Sequence, residues 1–325
     1  MGIRRAASLA LSAFLASAAG TRDLQDQILV DSGCAVYPEE EQYRQLWSAT
    51  FSLPLPVLPS ASKQSKWEKP CVQADRATVF NNFSDSYHLT RLAAVSAPHS
   101  SDWLHALPIS NCGLRLDNET VRVVVGLRLG LNICVPFSCQ CGTIVDANGI
   151  HGLSCKLAHG RMARHQQLND LVWRSVCKAN VPAVKEPAGL VRTDGKRPDG
   201  MSLIPWLQGK PVTWDVTVIN TLADSYISPL SISAGYAAEL AAERKSAKYS
   251  SLPGTFLFQP LAFETLGPIN ASGVDFLSEL GRRLVLSSGD ARATSYLFQQ
   301  LSMTVQRFNA VAFSGCFSSP QYSDM

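Results

Sequence analysis

Two aspartates in the stretch RPDGMSLIPWLQGKPVTWDVTV, Arg197 to Val218, carry the strongest hint of chemistry in this chain. Asp199 sits in Pro-Asp-Gly, a plain turn signal, because proline presets φ, aspartate bonds its own backbone and glycine accepts positive φ. Asp215 interrupts a run in which Val212, Trp214, Val216 and Val218 alternate with Thr213, Asp215 and Thr217, the period of a strand. Aspartate is disfavoured in strands, so its presence there asks for a reason. One reason is a hairpin, turning near Gly209, that brings both acids to a single hard cation. Mg²⁺-dependent phosphodiester hydrolysis uses carboxylates in this way, with a lysine near the attacking water. Glu186, in KEPAGL, offers a third oxygen, and Lys245 and Lys248, three apart on one helical face, offer the lysine. The plainer alternatives are a turn residue, a solvated strand acid, a loop glutamate and two surface charges.

A second constellation lies upstream. CQCGTIVDANGIHGLSC gives Cys139-x-Cys141-x9-His151-x3-Cys155, three thiols and an imidazole with glycines between them. Such a set can close a tetrahedral Zn²⁺ site, and a full Cys3His shell is structural because it leaves no position for substrate. The first pair is C-x-C, not the commoner C-x2-C, and Cys134 or His159 can stand in for one ligand. The plainer alternative is a group of buried thiols beside a satisfied histidine.

The elements that must position these residues can be read coarsely. Residues 1–30 read as one or two helices, and 37–108 as short helices and loops. Val121–Ile133 reads as a strand or a short helix. A helix from about Arg164 to Ala179 presents Leu168, Leu171, Val172 and Val176 on one face. Short strands are expected near 189–192, 201–204 and 211–220, then an Ala-rich helix over 234–249 that can lie flat on a sheet. A strand over 255–263 and helices over 275–286 and 291–310 follow. The expected class is α/β (α+β), a mixed sheet flanked by helices over 166–325. A Cys/His knuckle (134–165) and a helical and irregular connector-like region (1–133) precede it.

Composition narrows the classes without choosing among them. With 46% apolar and 17% charged residues and a net charge of +3, the chain is neither disordered nor tailed by a basic arm. No run of ~20 apolar residues occurs, so no membrane-spanning segment is expected. The start, MGIRRAASLALSAFLASAAGT, has the outline of a secretory signal and equally that of an ordinary helix. Sequons at Asn82, Asn118 and Asn270 would accompany secretion, whereas nine cysteines, an odd number, argue against a fully paired disulfide framework. Signatures of P-loop NTPases, α/β-hydrolases and zinc proteases are absent.

The order of motifs adds a resemblance. A Cys/His knuckle, then GRMARHQQLND (Gly160 to Asp170), EP, RPDG, WDVTV and a helix ending K..KY resembles the restriction-like endonuclease at the C-terminal end of site-specific non-LTR retrotransposon polyproteins, in the PD-(D/E)XK superfamily. The resemblance spans roughly Cys139 to Tyr249. It implies a Mg²⁺-dependent nick in target DNA, with Asp199 and Asp215 as metal ligands, Glu186 as a further acid and Lys245 or Lys248 polarising the water. Zinc on Cys139, Cys141, His151 and Cys155, together with Arg161, Arg164 and His165, would grip the DNA backbone, with the element's RNA a further candidate partner. It also implies a nuclear protein, with residues 1–20 an internal helix. The chain departs from the family pattern at Thr217, where lysine is expected, at the C-x-C, and in lacking a polymerase, as a fragment or a truncated or domesticated gene would. Two other readings stand beside this one: a nucleic-acid-binding remnant without catalysis, and a secreted disulfide-bonded glycoprotein.

Overall fold

The computed structural model describes residues 6–28, 38–191, 195–227 and 233–317, and the chain divides into two compact units, Met1–Ser84 and Asp85–Met325. The border expected at 133 falls inside the second unit.

In the first unit, helices α1 (Ala6–Ile28), α2 (Pro38–Phe51) and α3 (Gln64–Asn81) enclose a small core of Leu15, Trp47 and Trp67. Both indoles are fully satisfied despite their burial: Trp47 Nε1 donates to Trp67 O and Trp67 Nε1 donates to Ala61 O. Helices here are longer and more regular than the Pro/Ser-punctuated sequence led us to expect. No helix among the described residues is long and apolar enough to cross a membrane.

The second unit opens with α4 (Ser86–Val95), the single turn α5 (Asp102–His105) and α6 (Asn118–Leu129). The valine-rich 121–133 segment is helical from its start because Asp117 caps it, its carboxylate accepting from Thr120 N at 2.9 Å. Val123, Val124 and Leu127 then pack with Met303, Ala310 and Phe313 of a helix near the C-terminus. A two-stranded ribbon, β1 (Phe137–Ser138) and β2 (Ile144–Val145), carries the first cysteines.

The remaining elements run α7 (His159–Lys178), β3 (Ala183–Lys185), β4 (Gly200–Ser202), β5 (Val212–Ile219), α8 (Tyr236–Lys248), β6 (Leu257–Glu264), α9 (Ala271–Ser288) and α10 (Ala293–Ser314). The four strands form one mixed sheet in the order β3-β4-β5-β6, antiparallel except for the parallel β5–β6 pair. The mixed sheet flanked by helices is thus as expected. The strand expected near 189–192 lies earlier, at Ala183–Lys185. Pro187 cannot donate to a ladder, and Ala188–Leu190 forms a 3-10 turn, while Arg192 lies outside the described residues.

Each face of the sheet has its own partner. Val212, Trp214, Val216, Leu261 and Phe263 pack with Leu168, Val172 and Val176 of α7 and with Leu277 and Leu280 of α9. On the other face Ile219 and Ala262 meet Ala237, Ala238, Ala241 and Ala242, so the Ala-rich helix does lie flat on the sheet. Buried Glu264 accepts from Ala238 N at 3.0 Å, fixing where α8 starts.

Two sequons behave differently from the third. Asn82 and Asn118 are exposed, but Asn270 is fully buried and its amide oxygen accepts from Ala262 N. Asn270 therefore cannot be a glycan acceptor in the folded chain.

Candidate active site and metal centre

Gly200 and Trp214 are paired residues on neighbouring strands and share one face: a Cβ on Gly200 would sit 2.1 Å from the Trp214 ring. Successive strand residues alternate faces. Asp215 therefore points to the opposite face, the one covered by α8, while Asp199, one residue before β4, turns its carboxylate to the backbone of β5 and to α7. Asp199 is held from several sides. Its Oδ2 accepts from Val216 N at 2.6 Å and pairs with His165 Nε2 at 3.1 Å, and its backbone oxygen accepts from Asn169 Nδ2 and Glu186 N. Asp199 is thus a rigidly aimed carboxylate, but the tight turn expected at Pro-Asp-Gly does not form: Asp199 is a bend bonded to both neighbouring segments, and Gly200 opens β4 without a positive φ.

Asp215 is buried, not solvated as its polar stripe suggests, because α8 roofs that face. Lys245 Nζ reaches its Oδ1 at 2.5 Å and Lys248 Nζ lies 4.0 Å from its Oδ2. The two lysines of the helix end converge on the strand acid. His165 joins this group electrostatically. Its hydrogen bond with Asp199 raises its pKa above the usual value, Asp215 adds in the same direction, and burial and Lys245 act against them.

Glu186 does not join. Its backbone is beside Asp199, but φ is +49° and its exposed side chain pairs with Arg197. Among the described residues no cluster of three acids forms. This does not disqualify Mg²⁺, which keeps several waters and is commonly held by one or two carboxylates plus substrate phosphates. Asp199 and Asp215 supply two carboxylates, and in this structure each is held by a protein cation, Asp199 by His165 and Asp215 by Lys245.

The basic segment divides in two. Arg161 is exposed and lines a cleft of about 550 Å³ with Ser154, Met162, His165, Thr217 and Tyr226. Arg164 is not available to DNA: it is 1% exposed and donates to Asn309 Oδ1 at 2.6 Å and Leu153 O at 3.1 Å. Burial, with Arg161 nearby, lowers its pKa to about 10. The helix-facing position after Met162 and Ala163 places it inward, so Arg164 ties α7 to α10 and the cysteine-rich loop.

The cysteine-histidine set comes together. One ligand atom from each of Cys139, Cys141, His151 and Cys155 lies within 4.8 Å of all the others. Cys139 Sγ and Cys155 Sγ are 3.6 Å apart, and Cys141 Sγ and His151 Nε2 are 3.2 Å apart. A tetrahedral Zn²⁺ with bonds of about 2.0–2.3 Å requires ligand atoms about 3.3–3.8 Å apart, so the set fits zinc. The ribbon turn carries Cys139 and Cys141, a 3-10 turn (Ile150–Leu153) carries His151, and Cys155 N donates to His151 O. Hydrogen bonding to Thr143 lowers the Cys141 thiol to about 6, whereas burial raises Cys139. The alternative ligands stay out: Cys134 turns to Asp146 O and Ala147 O, and His159 begins α7. No disulfide joins the eight described cysteines.

Three contributors escaped the sequence reading. Asn169 receives Trp214 Nε1–H at 2.9 Å and holds Asp199 O, and its spacing of four from His165 is the signal that could have found it. Tyr249 donates to Arg197 O at 2.8 Å, bracing the segment that leads to Asp199. Cys316, buried against Cys139 and Cys155, is too distant in sequence for any spacing rule to connect it. No protein-family model matches this chain, and no curated protein matches it.

Proposed function

We propose that the α7-to-β6 region is a Mg²⁺-dependent DNA endonuclease of the PD-(D/E)XK type, related to the nuclease of non-LTR retrotransposons, which nicks one strand of a duplex. The observation that carries this reading is the meeting of two acid pairs, Asp199 with His165 and Asp215 with Lys245, His165 lying within electrostatic reach of both acids. A divalent cation on the two carboxylates would acidify a water and neutralise charge developing on the phosphate. Asp199, locked by Val216 N and His165, orients one ligand oxygen, and Asp215 supplies the other from a strand interior. Lys245 takes the place of the lysine that the family carries where this chain has Thr217. Lys245 is bonded to Asp215 in this structure and would supply the positive charge that polarises the attacking water. Exposed Arg161 and the adjoining cleft offer positive charge to the DNA backbone, and the cysteine-histidine loop forms one wall of that cleft through Ser154.

One observation favours a second reading. With Lys245 and Lys248 on it, Asp215 is also a satisfied structural ion pair, as in a nucleic-acid-binding remnant that no longer cuts. Nicking of supercoiled DNA with Mg²⁺ separates the two. The nuclease reading predicts open circles from the wild type and none from Asp199→Ala or Asp215→Ala. DNA binding without nicking by the wild type supports the remnant, and nicking that survives both substitutions defeats the assignment of the site.

A further inference from the structure

Cys316 follows α10 in the last described turn and is fully buried. It belongs to one apolar cluster with Cys139, Cys155, Ala158 and Ala312. Its thiol interacts with those of both Cys139 and Cys155, and its Sγ lies 3.7 Å from Ala312 O. A Cβ on Gly152, in the turn between His151 and Cys155, would come to 3.5 Å from this sulfur. Cys316 thus packs on the inner, buried side of the cluster with Cys139 and Cys155, beside the four-ligand set and outside it. On the outer side Cys141, exposed on the ribbon turn, pairs with His151.

We propose that Cys316 is a fifth donor of the cysteine-histidine metal site, able to replace Cys141 on a bound zinc ion. The Cys139–Cys155 edge is common to both donor sets, so the exchange keeps two thiolates in place. Zn²⁺ permits this because its filled d shell imposes no directional preference and thiolates are its preferred ligands. Five donors around four positions let the ion trade a solvent-facing ligand for a buried one. A buried cysteine ordinarily acts as a small hydrophobe. Three features set Cys316 apart: complete burial, packing with two members of a metal-competent set, and Gly152, which lets the end of α10 come close to the His151–Cys155 turn, since a Cβ there would meet Phe313 Cα at 2.8 Å. The consequence is mechanical. Zinc would then fasten the end of α10 to the cysteine-rich loop, and α10 packs along α7, which carries Arg161 and His165. The inference rests on the zinc site and not on the nuclease reading.

Zinc and cobalt binding to the full chain tests it. Wild type, Cys141→Ser, Cys316→Ala, the double variant and Cys134→Ser are loaded with Zn²⁺ in chelator competition and with Co²⁺ for thiolate charge-transfer absorption. Cys141→Ser should keep one equivalent of zinc, with affinity within about tenfold of wild type, the lower end of what loss of a supporting group costs. Its Co²⁺ band should retain three-thiolate intensity. The double variant should lose more than about a hundredfold, and Cys134→Ser should match wild type. A Cys141→Ser protein that falls as far as the double variant, or whose cobalt band drops to two thiolates, overturns the proposal. The cobalt band needs no change at Cys316, so a folding defect in the alanine variant leaves the test intact. Wild type that binds no zinc overturns it as well.

Discussion

Replacing Lys245 by methionine keeps the helix former and most of the aliphatic stem but leaves Asp215 without its closest counter-charge. Removing one partner of a fully buried ion pair costs about 3–5 kcal/mol, because the remaining charge is stranded in low dielectric. Two features of this site reduce that figure. The Lys245 side chain is 25% exposed, so part of the field reaches water, and Lys248 Nζ is already 4.0 Å from the other carboxylate oxygen. The expected loss is therefore about 1–2 kcal/mol, or about 2–8 °C in Tm for a unit of this size. Asp215→Asn reverses the logic: it deletes the buried charge that the lysines exist to balance and keeps the shape. It should leave stability unchanged or higher while abolishing nicking, the pattern expected where stability has been conceded to function. Thermal unfolding by circular dichroism reads both variants on the full chain. Lys245→Met with an unshifted Tm, together with a destabilised Asp215→Asn, would refute the idea that the lysine serves the acid.

Three further outcomes follow from individual contacts. His165 has its pKa raised by Asp199, so its pairing stabilises the fold most fully below the unfolded value of about 6.5 and the benefit is lost as pH rises through the higher folded value. The stability gap between wild type and His165→Gln should accordingly shrink as pH rises above about 6.5, and an NMR titration of His165 in Asp199→Asn should show the elevation gone. Arg164→Met should destabilise the protein by about 1–3 kcal/mol, since it strands Asn309 Oδ1 and Leu153 O. Arg161→Ala should leave stability alone and reduce the salt slope of DNA binding by about one; equal effects of the two on DNA affinity would contradict the inward placement of Arg164. Stripping zinc with a chelator should lower the Tm of the second unit and lift protection from the loop around His151, because metal binding energy is folding energy where the ligands need the metal to stay together. Hydrogen exchange unchanged by the chelator would count against a structural metal.

Much of this arrangement was legible in the residues. Alternation about Trp214 gave the strand and its two faces, the alanines of 237–242 gave a helix flat enough to lie on a sheet, and Gly209, at φ +72°, marks the reversal between β4 and β5, whereas Pro-Asp-Gly runs straight into β4. Spacing alone also collected Cys139, Cys141, His151 and Cys155 into one set. The failures are those that local pattern cannot see. Arg164 and Arg161 are three apart in the same basic segment, yet the α7–α10 crossing buries one and leaves the other outside. That crossing is close because Gly160 allows it: a Cβ there would meet Ala312 N at 2.4 Å. Asp215 was expected on a polar, accessible face, but α8 covers that face and turns the acid into a buried ion pair. Glu186 carries the right functional group at a backbone position next to Asp199, and only its left-handed φ and the pull of Arg197 turn it away. Contacts between distant segments, such as Cys316 with Cys139, have no signature in composition or period.

Where a divalent cation binds is the sharpest question the fold leaves to experiment. Crystals of the protein soaked in Mn²⁺ and measured at the manganese absorption edge would answer it. The account predicts one anomalous peak bridging the carboxylates of Asp199 and Asp215, with Lys245 moved off Asp215, and no such peak in Asp215→Asn. A peak elsewhere, or none at these two acids in a protein that nicks DNA, would contradict it.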